Sequence, residues 1–141
     1  MKHLIIIIYL IFINITMGFA QEDSVNEIVV NISNLSSNKG QVLVGLYNTE
    51  KSFLGNGFKY FKTKIENNSC KVVFKDIPNG TYAISFYHDE NENNKMDTNF
   101  IGIPKEDYGC SNNAKGFMGP PRWKDAKFQI HNETITQNIK L

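Results

Sequence analysis

Asp76-Ile77-Pro78-Asn79-Gly80-Thr81-Tyr82-Ala83-Ile84-Ser85-Phe86-Tyr87-His88 is a tight turn running straight into a strand, and it decides the fold. Asp and Asn bond their own backbone, Pro presets φ, and Gly tolerates left-handed backbone, so each favours the turn for its own reason. After Gly80, Tyr82, Ile84 and Phe86 alternate with Ala83, Ser85 and Tyr87; a period of two sends the first set to the core and the second outward. The pattern recurs in both directions along the chain. Ile28, Val30 and Ile32 alternate, Ser36-Ser37-Asn38-Lys39-Gly40 turns the chain, and Val42, Val44 and Leu46 share a face, which together predict a hairpin. Residues 51–57 fit a brief helical turn, 59–65 a strand, Asn67-Asn68 a turn and 70–74 another strand. Downstream, residues 123–130, with Ala126, Phe128 and Ile130 in register, and residues 134–141, with Ile135, Ile139 and Leu141, predict two closing strands joined by His131-Asn132-Glu133. No stretch carries a convincing helical stripe. About seven strands at this spacing predict an all-β sandwich.

The first twenty residues read as an export signal. Lys2 and His3 precede an apolar run over residues 4–15, and Gly18-Phe19-Ala20 supplies the small residues that cleavage needs. The mature chain then begins near Gln21 and forms one domain, residues 21–141, destined for the periplasm or the medium. No cysteine follows the cut to carry lipid, and no second apolar run is long enough to span a bilayer, so a soluble monomer is expected. With Lys2 set aside, 14 basic residues balance 14 acidic ones. That balance gives no electrostatic argument for nucleic acid or for a membrane surface as partner. Cys70 and Cys110 would stand in an oxidising compartment. Cys70 shares strand parity with Val72 and Phe74, as a small core hydrophobe does, so a disulfide and two free thiols both stay open. In the chain-entropy account a bridge closing so long a loop stabilises by about 4 kcal/mol.

Residues 88–97, His-Asp-Glu-Asn-Glu-Asn-Asn-Lys-Met-Asp, hold the densest chemistry in the chain. Asp89, Asn91, Asn93 and Asp97 present oxygen side chains spaced two, two and four apart, and Lys95 offers its carbonyl between them. A hard cation such as Ca²⁺ takes six to eight oxygens, and a tight turn points alternate positions inward together. The segment carries a formal −3, which favours a cation. Against the usual twelve-residue calcium loop, Asn94 stands where glycine is expected and Phe100 where a bidentate glutamate belongs. Asn94 is able to take the left-handed conformation. The competing reading is an acidic turn held by side-chain-to-backbone hydrogen bonds and free of metal.

Residues 98–122 are rich in Gly, Pro and Asn and show no apolar period. So long a stretch is functional or disordered, and Phe100, Ile101, Ile103, Tyr108, Phe117 and Met118 argue for an ordered excursion packed over one end or edge of the sandwich. His88 falls in strand parity with Phe86 at the rim of the core, where it pins the acidic turn or stands behind a metal. Glu106 and Asp107 are candidates to complete a cation site, or are simply solvated. Ser111, Asn112 and Asn113 read as loop-bonding residues with ligand contact as the alternative; no Gly-x-Ser-x-Gly elbow surrounds the serine. Tyr87 and Trp123 are candidates for an exposed aromatic surface, suited with Asn112 and Asn113 to sugar or peptide, and burial accounts for Trp123 equally well.

The chain resembles a known family. The matching residues are Asp76-Ile77-Pro78-Asn79-Gly80-Thr81-Tyr82-Ala83, His88-Asp89-Glu90-Asn91-Glu92-Asn93, Lys95-Met96-Asp97, Gly102-Ile103-Pro104, Tyr108-Gly109-Cys110-Ser111-Asn112-Asn113-Ala114, and Gly119-Pro120-Pro121 with Asp125-Ala126. They are similar to the pattern of exported bacterial proteins grouped as domain of unknown function 2141 (DUF2141). The opening of the 81–88 strand also looks like that of transthyretin-like and carboxypeptidase-regulatory-like modules, which implies an immunoglobulin- or prealbumin-like sandwich. Asn94 replaces a glycine and Cys110 an aromatic residue of the family pattern. The resemblance brings no activity with it.

The leading expectation is therefore a non-enzymatic exported module with a structural calcium loop ordering the 98–122 excursion. The alternatives are a small metal-dependent hydrolase using His88, Asp89 and a residue of 108–113, and an accessory domain that binds a cell-surface glycan or a protein partner.

Overall fold

The computed structural model describes residues 26–141, so the export-signal reading lies outside the described residues. Eight strands follow in order: β1 (Glu27–Ser33), β2 (Gln41–Tyr47), β3 (Lys59–Thr63), β4 (Ser69–Phe74), β5 (Gly80–Asp89), β6 (Tyr108–Cys110), β7 (Phe128–Ile130) and β8 (Thr134–Lys140). One short helix, α1 (Trp123–Ala126), precedes β7. A three-stranded sheet in the order β4-β1-β8 packs on a second sheet in the order β3-β2-β5-β6, with β7 also pairing β5. The protein is an all-β sandwich.

Alternation builds the core. Ile28, Val30, Ile32, Val42, Val44, Ile84 and Phe86 fill the space between the sheets, with Phe74 and Ile139 beside them. Phe74 also meets Phe61 edge-on at 5.1 Å, a geometry that adds to area burial.

Four expectations need correction. Residues 28–32 and 42–46 do not form a hairpin: β1 pairs antiparallel with β4 and parallel with β8, while β2 pairs with β3 and β5. The 36–40 turn carries the chain across from one sheet to the other. Residues 123–130 are not one strand, because α1 occupies 123–126 and only Phe128–Ile130 pairs, with Gly80–Tyr82. β7 and β8 consequently belong to different sheets. The excursion is not devoid of regular structure either: Tyr108–Cys110 extends the second sheet, pairing with Ser85–Tyr87.

The fourth correction concerns the outward face of β5. Ala83 is fully buried, because Cys110 and Ala126 form a second cluster over it, flanked by Phe53, Ala114 and Trp123. Tyr47, Phe53 and Trp123 continue this cover edge to face, at 5.4 and 5.7 Å. Trp123 is thus a half-buried packing residue.

The cysteines lie on opposite sides of the second sheet and are free. Cys70 packs against the inter-sheet core and Cys110 within the outer cluster. Burial pushes the Cys70 thiol up to about 11 and the Cys110 thiol up to about 12. Only the thiolate reacts with alkylating agents, so a raised pKa slows labelling at any given pH. In native protein at pH 8, Cys70 is expected to label slowly and Cys110 only after denaturant is added, as read by mass spectrometry of quenched samples. Rapid native labelling of Cys110, or a bridged peptide in a non-reducing digest, would contradict this arrangement.

Candidate functional site

The acidic loop begins where β5 ends. The last β5 residue, Asp89, pairs with Gln41 at the start of β2 and is fully buried. Its carboxylate is held from three directions: Oδ1 accepts the Asn93 N–H at 3.0 Å, and Oδ2 accepts the Asn94 N–H at 2.8 Å and the Gln41 side chain at 2.9 Å. Burial works to raise this carboxyl, but hydrogen bonds from Gln41 and from the Asn94, Asn93 and Glu92 amides outweigh it and hold the group below the ordinary value of 3.8.

Of the predicted ligand residues, Asn91, Asn93 and Asp97 bring their side chains together. Asp97 accepts the Asn91 side-chain amide on Oδ2 at 2.6 Å and the Asn93 side-chain amide on Oδ1 at 3.1 Å. Asn91 Oδ1 takes the Asn93 N–H and Asn93 Oδ1 takes the Lys95 N–H. Asn94 does adopt left-handed backbone, with φ at 61°, and its Oδ1 takes Gln41 Nε2 and the Lys62 ammonium. Glu106 joins from the far side of the excursion, its Oε2 accepting the Asp97 N–H at 3.0 Å. Burial, with the Asp89 and Glu106 charges adding, raises the Tyr87 hydroxyl above its usual range. Asp107 contributes its carbonyl to the His88 N–H rather than a carboxylate to the loop. Phe100 stands outside this arrangement and is almost fully exposed.

Among the described residues, no group of three or more His, Cys, Asp or Glu side chains is placed to hold a metal ion. A cation here would have to draw on asparagine and carbonyl oxygens beside Asp89 and Asp97, a hard-oxygen set suited to Ca²⁺.

His88 lies beneath the loop in the core, fully buried, with Nε2 2.7 Å from the Lys39 carbonyl. A carbonyl only accepts, so Nε2 donates to it; Nδ1 has no hydrogen-bond partner in the protein. The ring ties the 36–40 crossover to β5.

Ser111, Asn112 and Asn113 form a single 3₁₀ turn after β6, with Asn112 at φ 60°. The buried Ser111 hydroxyl donates to the Ala126 carbonyl at 2.6 Å and accepts the Ile84 N–H at 2.9 Å. Asn112 donates to the Asp125 and Lys127 carbonyls, and Asn113 bonds the β8 backbone at Asn138 and Lys140. These three side chains fasten the excursion to both sheets. The serine and His88 are each committed to a different backbone carbonyl. A cavity of about 310 Å³ lies beside β6, lined by Tyr108, Cys110, Asn113, Lys115 and Ile139 among others, and His88 is not in its wall.

Sequence reading missed Gln41 and Lys62 as partners of the loop. Gln41 had a signal, since a long polar side chain opening an apolar strand faces whatever lies past the strand end. Lys62 had none, because its contact depends on β3 lying beside β2.

A search of curated proteins finds no match. A family model described as an uncharacterised protein conserved in bacteria matches residues 30–138, which takes in all eight strands apart from the first three residues of β1 and the last two of β8. By that match the chain belongs to the DUF2141 family.

Proposed function

We propose that this protein is a non-enzymatic exported binding module in which a structural Ca²⁺ at the 89–97 loop orders the 98–122 excursion. One observation carries the reading: Asn91 and Asn93 turn their side chains onto the two oxygens of Asp97, so the loop gathers its polar groups around one carboxylate. Turning each amide by half a rotation presents Oδ1 where Nδ2 now stands, at the cost of the Asn93 and Lys95 N–H bonds that these oxygens now accept. Glu106 would link the cation to the return of the chain into β6. The ion binds and orients; no step of chemistry is assigned to it. The hydrolase alternative is disfavoured by His88 and Ser111 being spent on separate backbone carbonyls.

The test is thermal unfolding of the full chain in chelator and in millimolar Ca²⁺, beside Asp97→Ala. A ligand at a hundredfold excess over its Kd stabilises the native state by about 2.7 kcal/mol, which is a Tm rise of about 10 °C in a domain of this size. The rise is expected in the wild type and absent in Asp97→Ala. An unchanged wild-type Tm up to millimolar Ca²⁺ would leave a metal-free turn as the correct account.

A further inference from the structure

Asparagine followed by glycine occurs twice in the chain, at Asn56-Gly57 and at Asn79-Gly80. The pair carries a reaction of its own, one reason asparagine counts as a thermolabile residue. A glycine nitrogen, with no side chain beside it to hinder approach, attacks the asparagine side-chain carbon and closes a succinimide ring. A folded protein permits this only where the side-chain amide is free to turn onto the next nitrogen and the backbone between them is free to follow. The two pairs differ in both respects.

Asn79 is clamped. Its Oδ1 accepts the Asn26 side-chain amide at 2.7 Å and the Asn132 N–H at 2.9 Å, and its Nδ2 donates to Asn132 Oδ1 at 2.8 Å. Asn26 is itself buried and donates to the Ile77 carbonyl at 2.8 Å, so the clamp joins the chain just before β1, the turn before β5 and the turn between β7 and β8. Gly80 is the first residue of β5 and pairs with Ile130 of β7. Ring closure at Asn79 therefore has to break three side-chain hydrogen bonds and lift Gly80 out of its pairing.

Asn56 is held by none of this. It is exposed and lies between β2, which ends at Tyr47, and β3, which begins at Lys59. Among the described residues no hydrogen bond reaches its side chain. Backbone bonds stop on either side of it, at the Gly55 N–H on the Ser52 carbonyl at 2.9 Å and the Phe58 N–H on the Leu46 carbonyl at 2.7 Å. The Gly57 N–H donates to the Tyr60 hydroxyl, which donates in turn to the Gly55 carbonyl at 2.8 Å. Tyr60 is 58 % exposed, so the Gly57 N–H is released by a movement at the surface that leaves the core closed.

We propose that Asn56 is a site of spontaneous deamidation in the native protein, and that tertiary contacts protect Asn79 from the same reaction. The Gly57 nitrogen gives up its proton to base and forms a bond to Asn56 Cγ; the Cγ–Nδ2 bond then breaks and the nitrogen leaves as ammonia, carrying the proton that the base returns. Water opens the ring at either carbonyl, leaving aspartate or isoaspartate at position 56 and a new negative charge. Nothing is oxidised or reduced. Isoaspartate also adds a carbon to the main chain between Gly55 and Gly57, the span that the Tyr60 hydroxyl bridges, so the change alters the entry to β3 as well as its charge. The inference does not depend on Ca²⁺.

The experiment incubates the full chain over days in mildly alkaline buffer with chelator, both native and in guanidinium chloride, beside an unincubated sample and Asn56→Gln. Trypsin separates the two sites, since Lys51 and Lys59 bracket one and Lys75 and Lys95 the other, and fragmentation by mass spectrometry locates the single-dalton gain. In the native protein Asn56 is expected to convert about tenfold faster than Asn79 or more, because a site that must first break its contacts is slowed by the opening equilibrium. In denaturant the two are expected to convert at comparable rates, and Asn56→Gln to lose the native product, since the longer side chain closes its larger ring slowly. Equal native rates, or faster conversion of Asn79, overturn the proposal. It is overturned equally by native protein left unmodified at Asn56 over a time that converts both sites in denaturant, and by an Asn79 that stays slow in denaturant, which would put its protection in the local sequence.

Discussion

Gly40→Ala is expected to lower the stability of the fold by about 3 kcal/mol or more, the sum of left-handed strain and a backbone clash. Gly40 sits at φ 69°, and a Cβ there would stand 2.1 Å from the Asp89 carbonyl oxygen and 2.7 Å from Glu90 Cα. Both atoms are backbone, so relief requires β2 and β5 to part where the acidic loop begins. Lys39 and Gln41, on either side, hold His88 and Asp89, so the disturbance reaches both. Gly102→Ala is the control: φ is 82° but nothing lies within 4 Å of the added carbon, leaving strain alone at about 1 kcal/mol. Urea midpoints of the two variants measure the difference. Equal shifts would mean that the crossover yields freely and that the close approach of residues 40 and 89 has no energetic weight.

Asp89→Ala carries the second large effect, about 3 kcal/mol in chelator at neutral pH, since it strands the Asn94 amide and takes one of two acceptors from the Asn93 amide and the Gln41 side chain around a buried gap. Asp89→Asn keeps one acceptor oxygen and is expected to lose less. The effect has a pH signature. The folded-state carboxyl lies below its ordinary 3.8, so its contribution is complete at pH values above 3.8 and is lost as pH falls through the lower folded-state value. The gap in unfolding free energy between wild type and Asp89→Ala should therefore close below pH 3.8. A gap unchanged between neutral pH and strong acid would show that Asp89 acts by filling space and not as a charged acceptor.

Features legible in the sequence were those set by near neighbours. Alternation along residues 81–88 placed Tyr82, Ile84 and Phe86 in the core, because successive side chains in a strand must point to opposite faces. In the acidic turn, Asn91 and Asn93 meet Asp97, because a turn so short leaves its alternate side chains little other choice. The short-range bonding of Ser111-Asn112-Asn113 followed from side chains that compete well for loop backbone.

The rest was decided by contacts between distant segments. A turn at 36–40 looks the same whether the strand beyond it returns to its own sheet or crosses to the other. The crossing is settled by β8, which takes the place beside β1 through parallel pairing from more than a hundred residues away. Parity places Ala83 on the outer face of its strand, but the residues that make this face a second interior, Phe53, Cys110, Trp123 and Ala126, come from three other segments. Phe100, Phe117 and Met118 fail in the opposite sense: hydrophobic by type, they are left in solvent because hydrogen-bonded turns carry them beyond the reach of either sheet. By itself the sequence determined strands β1 to β5 and β8, the inner faces of β1, β2 and β5, and the acidic turn, all of which follow from residue type and from spacing within one or two turns of chain. Tertiary structure alone decided sheet membership, the second core and the exposed apolar tips, since burial belongs to whichever distant segment arrives to cover a side chain.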